Sequence, residues 1–148
     1  MGYSVKELFM CHRAGLAPAL AMECTGFFME QTLFDKYGGV PVVTRIVRDF
    51  YKRVMRRPNL RRYFESVSVD HLIQHQIRFV SMAMGKAPEN YASFNLKASH
   101  ETHGVTGASF DLMLDLFTDA LRAEEVSDED VDLIVAVLRS KRSLIVSK

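Results

Sequence analysis

The chain has 148 residues, of which 48% are apolar and 25% charged, so it is long enough to form one domain with a sizeable core. Its net charge of +1 argues against general attraction to nucleic acid or membranes, and no apolar run approaches the roughly 18 residues of a membrane span. Two cysteines, Cys11 and Cys24, are too few for a disulfide scaffold, so we expect a cytoplasmic protein.

With four prolines, eight glycines and few alternating β-branched residues, the sequence predicts an all-α fold. We divide it into an N-terminal extension, residues 1–30, and a domain, residues 31–148. Apolar spacing from Val5 to His12 fits one helical face, which Gly15 and Pro18 then interrupt. The extension is interpreted as an extra helical layer or a partly disordered arm, or alternatively as a dimerisation or signalling element.

The domain is predicted to begin with a short helix, Thr32 to Tyr37, because the glycine pair after it is a stop signal. Pro41 suits the first turn of the next helix. One face of that helix carries the apolar residues Val42, Val43, Ile46, Val47, Phe50 and Val54. Tyr51 lies beside them, so its hydroxyl needs a hydrogen-bond partner inside the protein. A backbone carbonyl and a functional partner are both compatible with the pattern.

A basic run extends from Arg45 to Arg62, with eight Lys or Arg residues and the single acid Asp49. It could bind nucleic acid or another anion, or it could be a solvated face balanced by acids elsewhere. We favour the solvated face and expect no nucleic-acid partner. Within the run, Pro58 opens another short helix that closes at Tyr63 and Phe64.

Two further segments carry polar side chains where apolar ones are expected. In Val69–Met84, the residues Leu72, Gln76, Phe79 and Ala83 share one helical face, and His75 lies at its edge. Burying an amide on such a face is costly unless a polar partner lies inside. The segment Leu96–Val105 is a short helix that carries His100 and stops at Gly104. The two segments together predict a ligand held between them.

The C-terminal part of the sequence predicts two more helices. Thr106 can cap the first, whose apolar face carries Phe110, Met113, Leu114, Phe117 and Leu121. Ser127 with Asp130 resembles a capping box at the start of the last.

Taken in order, these segments resemble a group I truncated haemoglobin, the two-over-two helical globin. The matching pieces are Leu33–Gly39, Asp49–Val54, Tyr63–Phe64, His71–Gln76, Phe79, Tyr91, Ser99–His100, Gly104–Val105 and Ser109–Asp111. The resemblance runs from about Thr32 to the C-terminus. The sequence departs from the family at Gly85-Lys86, where a glycine pair is usual, and in its long N-terminal arm.

The resemblance implies a haem site. His100 would be the proximal iron ligand, and Tyr51 and Gln76 would be the distal pair that hydrogen-bonds the gas and supports catalysis. Phe64 would stack on the haem, and Leu72 falls where classical globins place their distal histidine. The residues expected to contact the haem are Phe64, Leu72, Phe79, Tyr91, Leu96, His103, Val105 and Phe110.

The histidines require a choice. Neutral imidazole is a common axial ligand of haem iron, and both His100 and His103 offer one. We favour His100, because His103 lies at the mouth of the bend beside Gly104, where a haem propionate or water is a better partner. His75 is a candidate sixth ligand, although its helix would have to shift, and its alternative partner is a propionate or water. We expect His12 and His71 to face water.

The implied cofactor is haem b, held non-covalently, because the chain has no Cys-x-x-Cys-His motif. The last helix also lacks a histidine, the residue that links haem in some relatives. The expected ligands are O2, NO and CO. Tyr51 and Gln76 can stabilise the negative charge that bound O2 acquires without burying a charge of their own.

Three functions follow. We favour a haem enzyme that converts NO and O2 to nitrate, because of the Tyr51 and Gln76 pair and the activity that the resemblance implies. Its electrons would come from an external donor or reductase, because the chain has no dinucleotide or flavin motif. Its alternative is a haem-based gas or redox sensor that signals, or forms an oligomer, through residues 1–30. The third is a helical protein without haem that binds nucleic acid through Arg45–Arg62, which a Soret band would exclude.

Overall fold

The structure, a computed structural model, describes residues 31–87 and 96–147. The predictions for residues 1–30 and for Tyr91 lie outside these ranges. In the described part the regular structure is helical, without a strand, and this confirms the all-α prediction. None of the described helices is both long enough and apolar enough to span a membrane.

The described helices follow one another with short connections. They are α1 (Leu33–Lys36), α2 (Val40–Met55), α3 (Pro58–Arg61), α4 (Val69–Ala83), α5 (Leu96–Glu101), α6 (Gly107–Ala123), α7 (Asp128–Arg139) and α8 (Arg142–Ile145). A 3-10 turn, Arg62–Phe64, continues α3.

The break between α1 and α2 arises as the glycine pair predicts. Thr32 caps α1, because its hydroxyl accepts a hydrogen bond from the Asp35 amide at 3.1 Å. Gly38 and Gly39 then adopt positive φ angles of 101° and 69°, which side chains with a Cβ disfavour. The chain therefore turns sharply, and Pro41 lies in the first turn of α2.

Two pairs of helices form the core. Helix α2 packs against α4 in one pair, and α6 packs against α7 in the other. The pairs meet through α2 on α6 and α4 on α7, which is a two-over-two arrangement. The apolar face of α2 is buried as predicted; Val43, Ile46 and Val54 have no exposed surface. Burying each such side chain stabilises the fold by about 1.5–3 kcal/mol.

A second, smaller cluster closes the other end of the domain. Val105, Phe110 and Leu114 are its buried members, and Ile145 of α8 packs against them. Thr106 caps α6 as predicted, accepting a hydrogen bond from the Ser109 amide at 3.2 Å. This cluster supports α5, because α8 packs directly against that helix.

The start of α7 corrects one detail of the sequence analysis. Ser127 caps the helix, since its hydroxyl accepts a hydrogen bond from the Asp130 amide at 3.4 Å. A capping box would also bring the Asp130 carboxylate back to the Ser127 amide, but that amide donates to the Tyr37 hydroxyl at 3.1 Å. The Asp130 carboxylate instead binds Tyr37 and Lys36, at 2.5 and 2.6 Å. Contacts with Tyr37 and Lys36, far away in the sequence, therefore replace the contact expected between Asp130 and the Ser127 amide.

Candidate functional site

A cavity of about 390 Å³ opens among the helices that the sequence analysis singled out. Most of its walls are apolar and come from α2, α4 and α6, and α5 adds His100. Its lining residues are Val47, Phe50, Tyr51, Tyr63, Phe64, Val67, Ser68, His71, Leu72, His75, Gln76, Phe79, Val80, His100, His103, Val105, Phe110, Met113, Leu114, Phe117, Leu138 and Ile145. Its volume is in the usual range of a cofactor or small-ligand site.

Tyr51 is the most deeply buried polar group of the cavity, with 4% of its surface exposed. Its ring packs edge-to-face on Phe50 and Phe64, with centroids 5.0 and 5.7 Å away. The side chain of Gln76, on α4, lies close enough to the Tyr51 hydroxyl to act on its pKa as a hydrogen-bonding group. The hydroxyl partner is therefore a side chain of α4. Neither group carries a charge at neutral pH, so the pair can lie in an apolar cavity at modest desolvation cost.

Burial raises the pKa of Tyr51 well above the ordinary value of 10.0, because the phenolate would lose its hydration; the hydrogen bond to Gln76 opposes the rise only partly. The phenol therefore stays protonated over the physiological range, and its O–H remains a hydrogen-bond donor.

All four histidines of the described residues line this cavity: His71, His75, His100 and His103. His100 is half-buried on α5, and the more exposed His103 follows this helix. His103 also borders a polar surface depression with Arg62 and Tyr63. The structure thus gives His100 the more enclosed place and His103 the place at the rim.

The structure gathers the predicted site residues at one place. Those that line the cavity are Tyr51, Phe64, Leu72, His75, Gln76, Phe79, His100, His103, Val105 and Phe110. The two remaining predicted residues cannot be placed relative to the cavity. Tyr91 lies outside the described residues, and the structure describes Leu96 only as part of helix α5.

Among the lining residues that received no site role from the sequence, Tyr63 and His71 carry rings that form hydrogen bonds. Tyr63 bonds Ser109 at 3.2 Å, and this bond with the neighbouring Arg62 lowers the pKa of the Tyr63 phenol. In the sequence, Tyr63 could have been identified as a site residue because it precedes Phe64 in a segment that resembles the family. His71 was expected to face water, and its side chain is exposed, but its ring lines the cavity and bonds His75. The four-residue spacing of the two histidines could have predicted this contact, because residues i and i+4 are neighbours on one face of a helix.

This set of donors suits haem. A mostly apolar cavity accepts the porphyrin, one imidazole is sufficient as the axial protein ligand, and uncharged donors can face a small gas molecule. His100 supplies an imidazole from α5, and Tyr51 and Gln76 supply donors from α2 and α4.

Comparison with known proteins gives a consistent assignment. Residues 32–146 match the bacterial-like globin family. The group 1 truncated haemoglobin of Tetrahymena thermophila is 26% identical over 113 residues, which cover 76% of this chain and 93% of that protein.

Solved structures have the same fold. The crystal structure of truncated haemoglobin from Tetrahymena pyriformis in its Fe(III) form superposes with a TM-score of 0.72 at 24% identity, covering 80% of this chain and all of that one. A Chlamydomonas reinhardtii structure superposes with a TM-score of 0.66 at 31% identity, covering 78% of this chain and 95% of that one.

Proposed function

This chain belongs to the bacterial-like globin family as a group I truncated haemoglobin, and we propose that it converts NO and O2 to nitrate at a haem held by His100. Membership of the family makes it a haem protein that binds diatomic gases such as O2. We propose haem b without a covalent link, because the sequence has no Cys-x-x-Cys-His motif. Bound haem would supply an iron that coordinates the gas and exchanges one electron.

The observation that carries this proposal is that two uncharged hydrogen-bonding side chains, Tyr51 and Gln76, line the same mostly apolar cavity and interact there. A small ligand that gains negative charge is stabilised by fixed donors in a site without bulk water. The Tyr51 ring packs edge-to-face against Phe50 and Phe64, which restricts its orientation, so the donor needs little reorganisation. Gln76 adds a second donor that cannot ionise.

The reaction consumes one electron for each turnover: NO + O2 + e− gives nitrate. The sequence has no dinucleotide or flavin fingerprint, so the electron comes from an external donor. The chain's own residues hold the haem through His100, orient the gas through Tyr51 and Gln76, and keep water out with apolar walls.

Stopped-flow mixing tests this activity. The reduced, oxygenated protein mixed with NO is expected to give ferric protein and stoichiometric nitrate within milliseconds. Tyr51→Phe is expected to lose O2 faster, so less oxygenated protein remains to react. Wild-type protein that reacts over seconds, or releases O2 without forming nitrate, would sink the proposal while leaving gas binding intact.

The exposed basic face offers a place for the electron donor. Arg45 pairs with Glu124, and Arg53 pairs with Asp49 and Asp119. The remaining cations of the run form no ion pair with the described residues: Arg48, Lys52, Arg56, Arg57, Arg61 and Arg62. The run ends at Arg62, on the polar depression that shares Tyr63 and His103 with the cavity. An acidic donor protein that docks there would lie beside the cavity that is proposed to hold the haem.

Reduction of the ferric protein by a reduced acidic flavodoxin measures this docking. The rate is expected to fall steeply as ionic strength rises, because salt screens the attraction. Arg57→Glu should slow it further at low salt, whereas Arg139→Glu, the same single charge reversal on α7, should have a smaller effect. Equal rates in both variants would show that the basic face is only a solvated surface.

A further inference from the structure

His71 and His75 form a close pair one helical turn apart on α4. Their Nε2 atoms are 2.9 Å apart, which is hydrogen-bonding distance, and their rings stack with centroids 4.7 Å apart at 29°. Both rings line the cavity, with His71 exposed and His75 half-buried. The proposed gas reaction assigns no role to His71.

The bond occupies the atom with which His75 would reach the iron. A neutral imidazole has one N–H donor and one acceptor nitrogen. If His75 donates, its Nε2 carries a proton and has no lone pair for a metal. If His75 accepts, the Nε2 lone pair already points at the His71 proton. Whichever tautomer is present, Nε2 of His75 can bind iron only after the bond to His71 breaks.

We propose that His71 is a positioning residue that latches His75 away from the haem iron and so keeps the sixth coordination position open for gas. This inference rests on the proposed haem site, because the latch matters only when iron is in the cavity. Binding of His75 to iron and binding to His71 are mutually exclusive, so the strength of the latch sets the share of six-coordinate haem. A net hydrogen bond between neutral groups shifts such a balance about two- to tenfold.

Three variants of the full chain, loaded with haem, test the latch at pH 8.5, where free imidazole is neutral. His71→Leu removes the hydrogen bond. Gln74→Leu is the matched control, since Gln74 is exposed on the same helix and does not line the cavity. His71→Leu combined with His75→Leu removes both partners. The readouts are the low-spin to high-spin ratio in the absorption spectrum and the rate of CO binding to the ferrous protein.

We expect His71→Leu to raise the low-spin to high-spin ratio about two- to tenfold over wild type and to slow CO binding correspondingly. Gln74→Leu should match wild type, and the double variant should be high-spin with fast CO binding. Equal ratios in wild type and His71→Leu, at equal haem content, would overturn the latch alone. Loss of low-spin haem in His71→Leu would also overturn it, because His71 itself would then be the ligand. A chain that takes up no haem would instead refute the proposed haem site.

Discussion

The side chains at the centre of this cavity are polar groups that remain uncharged. An ionised donor in the same place would have to lose its hydration, which is far more costly than burying an amide or a phenol. Tyr51 stays neutral because burial raises its pKa, and Gln76 does not ionise. The pair is therefore chemically suited to donate hydrogen bonds to a ligand that becomes negative on binding.

Replacing Tyr51 with Phe, or Gln76 with Leu, tests this role. A hydrogen bond to a charged acceptor contributes about 1.5–3 kcal/mol, so O2 release should speed up roughly ten- to a hundredfold. CO, which carries less charge, should respond much less. Laser photolysis and ligand-replacement kinetics measure both gases.

Tyr63→Phe is the matched control, because it deletes a hydroxyl from another cavity tyrosine whose partner is Ser109. It should change O2 release much less than Tyr51→Phe. Equal changes for O2 and CO in Tyr51→Phe would mean that the phenol acts by bulk alone.

The raised pKa of Tyr51 also predicts an alkaline stability effect. The folded protein holds the phenolic proton above pH 10.0, the ordinary value, whereas the unfolded chain releases it there. This contribution to the free energy of unfolding is fully present below about pH 10 and is lost as the pH rises further. Urea denaturation of wild type and Tyr51→Phe at pH 8 and pH 11 should show a larger loss in wild type. A larger loss in the variant would reverse the sign and contradict the assignment.

At the scale of the helices, hydrogen bonds connect the end of α1 with the start of α7. Tyr37 and Lys36 of the α1 region converge on Asp130. The hydrogen bond from Lys36, with a further one from Tyr37, lowers the pKa of Asp130 and keeps it ionised. The Tyr37 oxygen also accepts the hydrogen bond of the Ser127 amide, so one side chain satisfies both the carboxylate and the helix start.

Tyr37→Phe should therefore lower the free energy of unfolding by about 1–2 kcal/mol, because it removes the hydroxyl that bonds Asp130 and both the amide and the hydroxyl of Ser127. Asp130→Asn combined with Tyr37→Phe should be less destabilising than the sum of the single changes, since the two residues share a contact. Additive effects in chemical denaturation would show that the two side chains do not act together.

The periodicity of the sequence predicted these elements better than the contacts between them. The glycine pair, Pro41 and Thr106 act within a few residues, so the bounds they predict are confirmed. The partner of Ser127 was missed because Tyr37 is 90 residues away. Local sequence also left the Tyr51 partner open, since the bond to Gln76 exists only once α2 packs on α4.

At the largest scale that the structure describes, two pairs of helices surround a cavity of about 390 Å³. The helical spacing around His100 and Gln76, with the ordered resemblance, was enough to predict ten of the residues that line it. The cavity volume and the pairing of His71 with His75 depend on packing and on side-chain orientation, which one sequence does not determine.

The most direct measurement of the central claim is titration of the haem-free protein with haemin, followed by the Soret band. We expect wild type and His103→Ala to take up one equivalent with a sharp end point, and His100→Ala to bind weakly or with a scrambled spectrum that added imidazole restores. His100→Ala with unchanged uptake and spectrum, together with loss of both in His103→Ala, would contradict the account and assign the iron to His103.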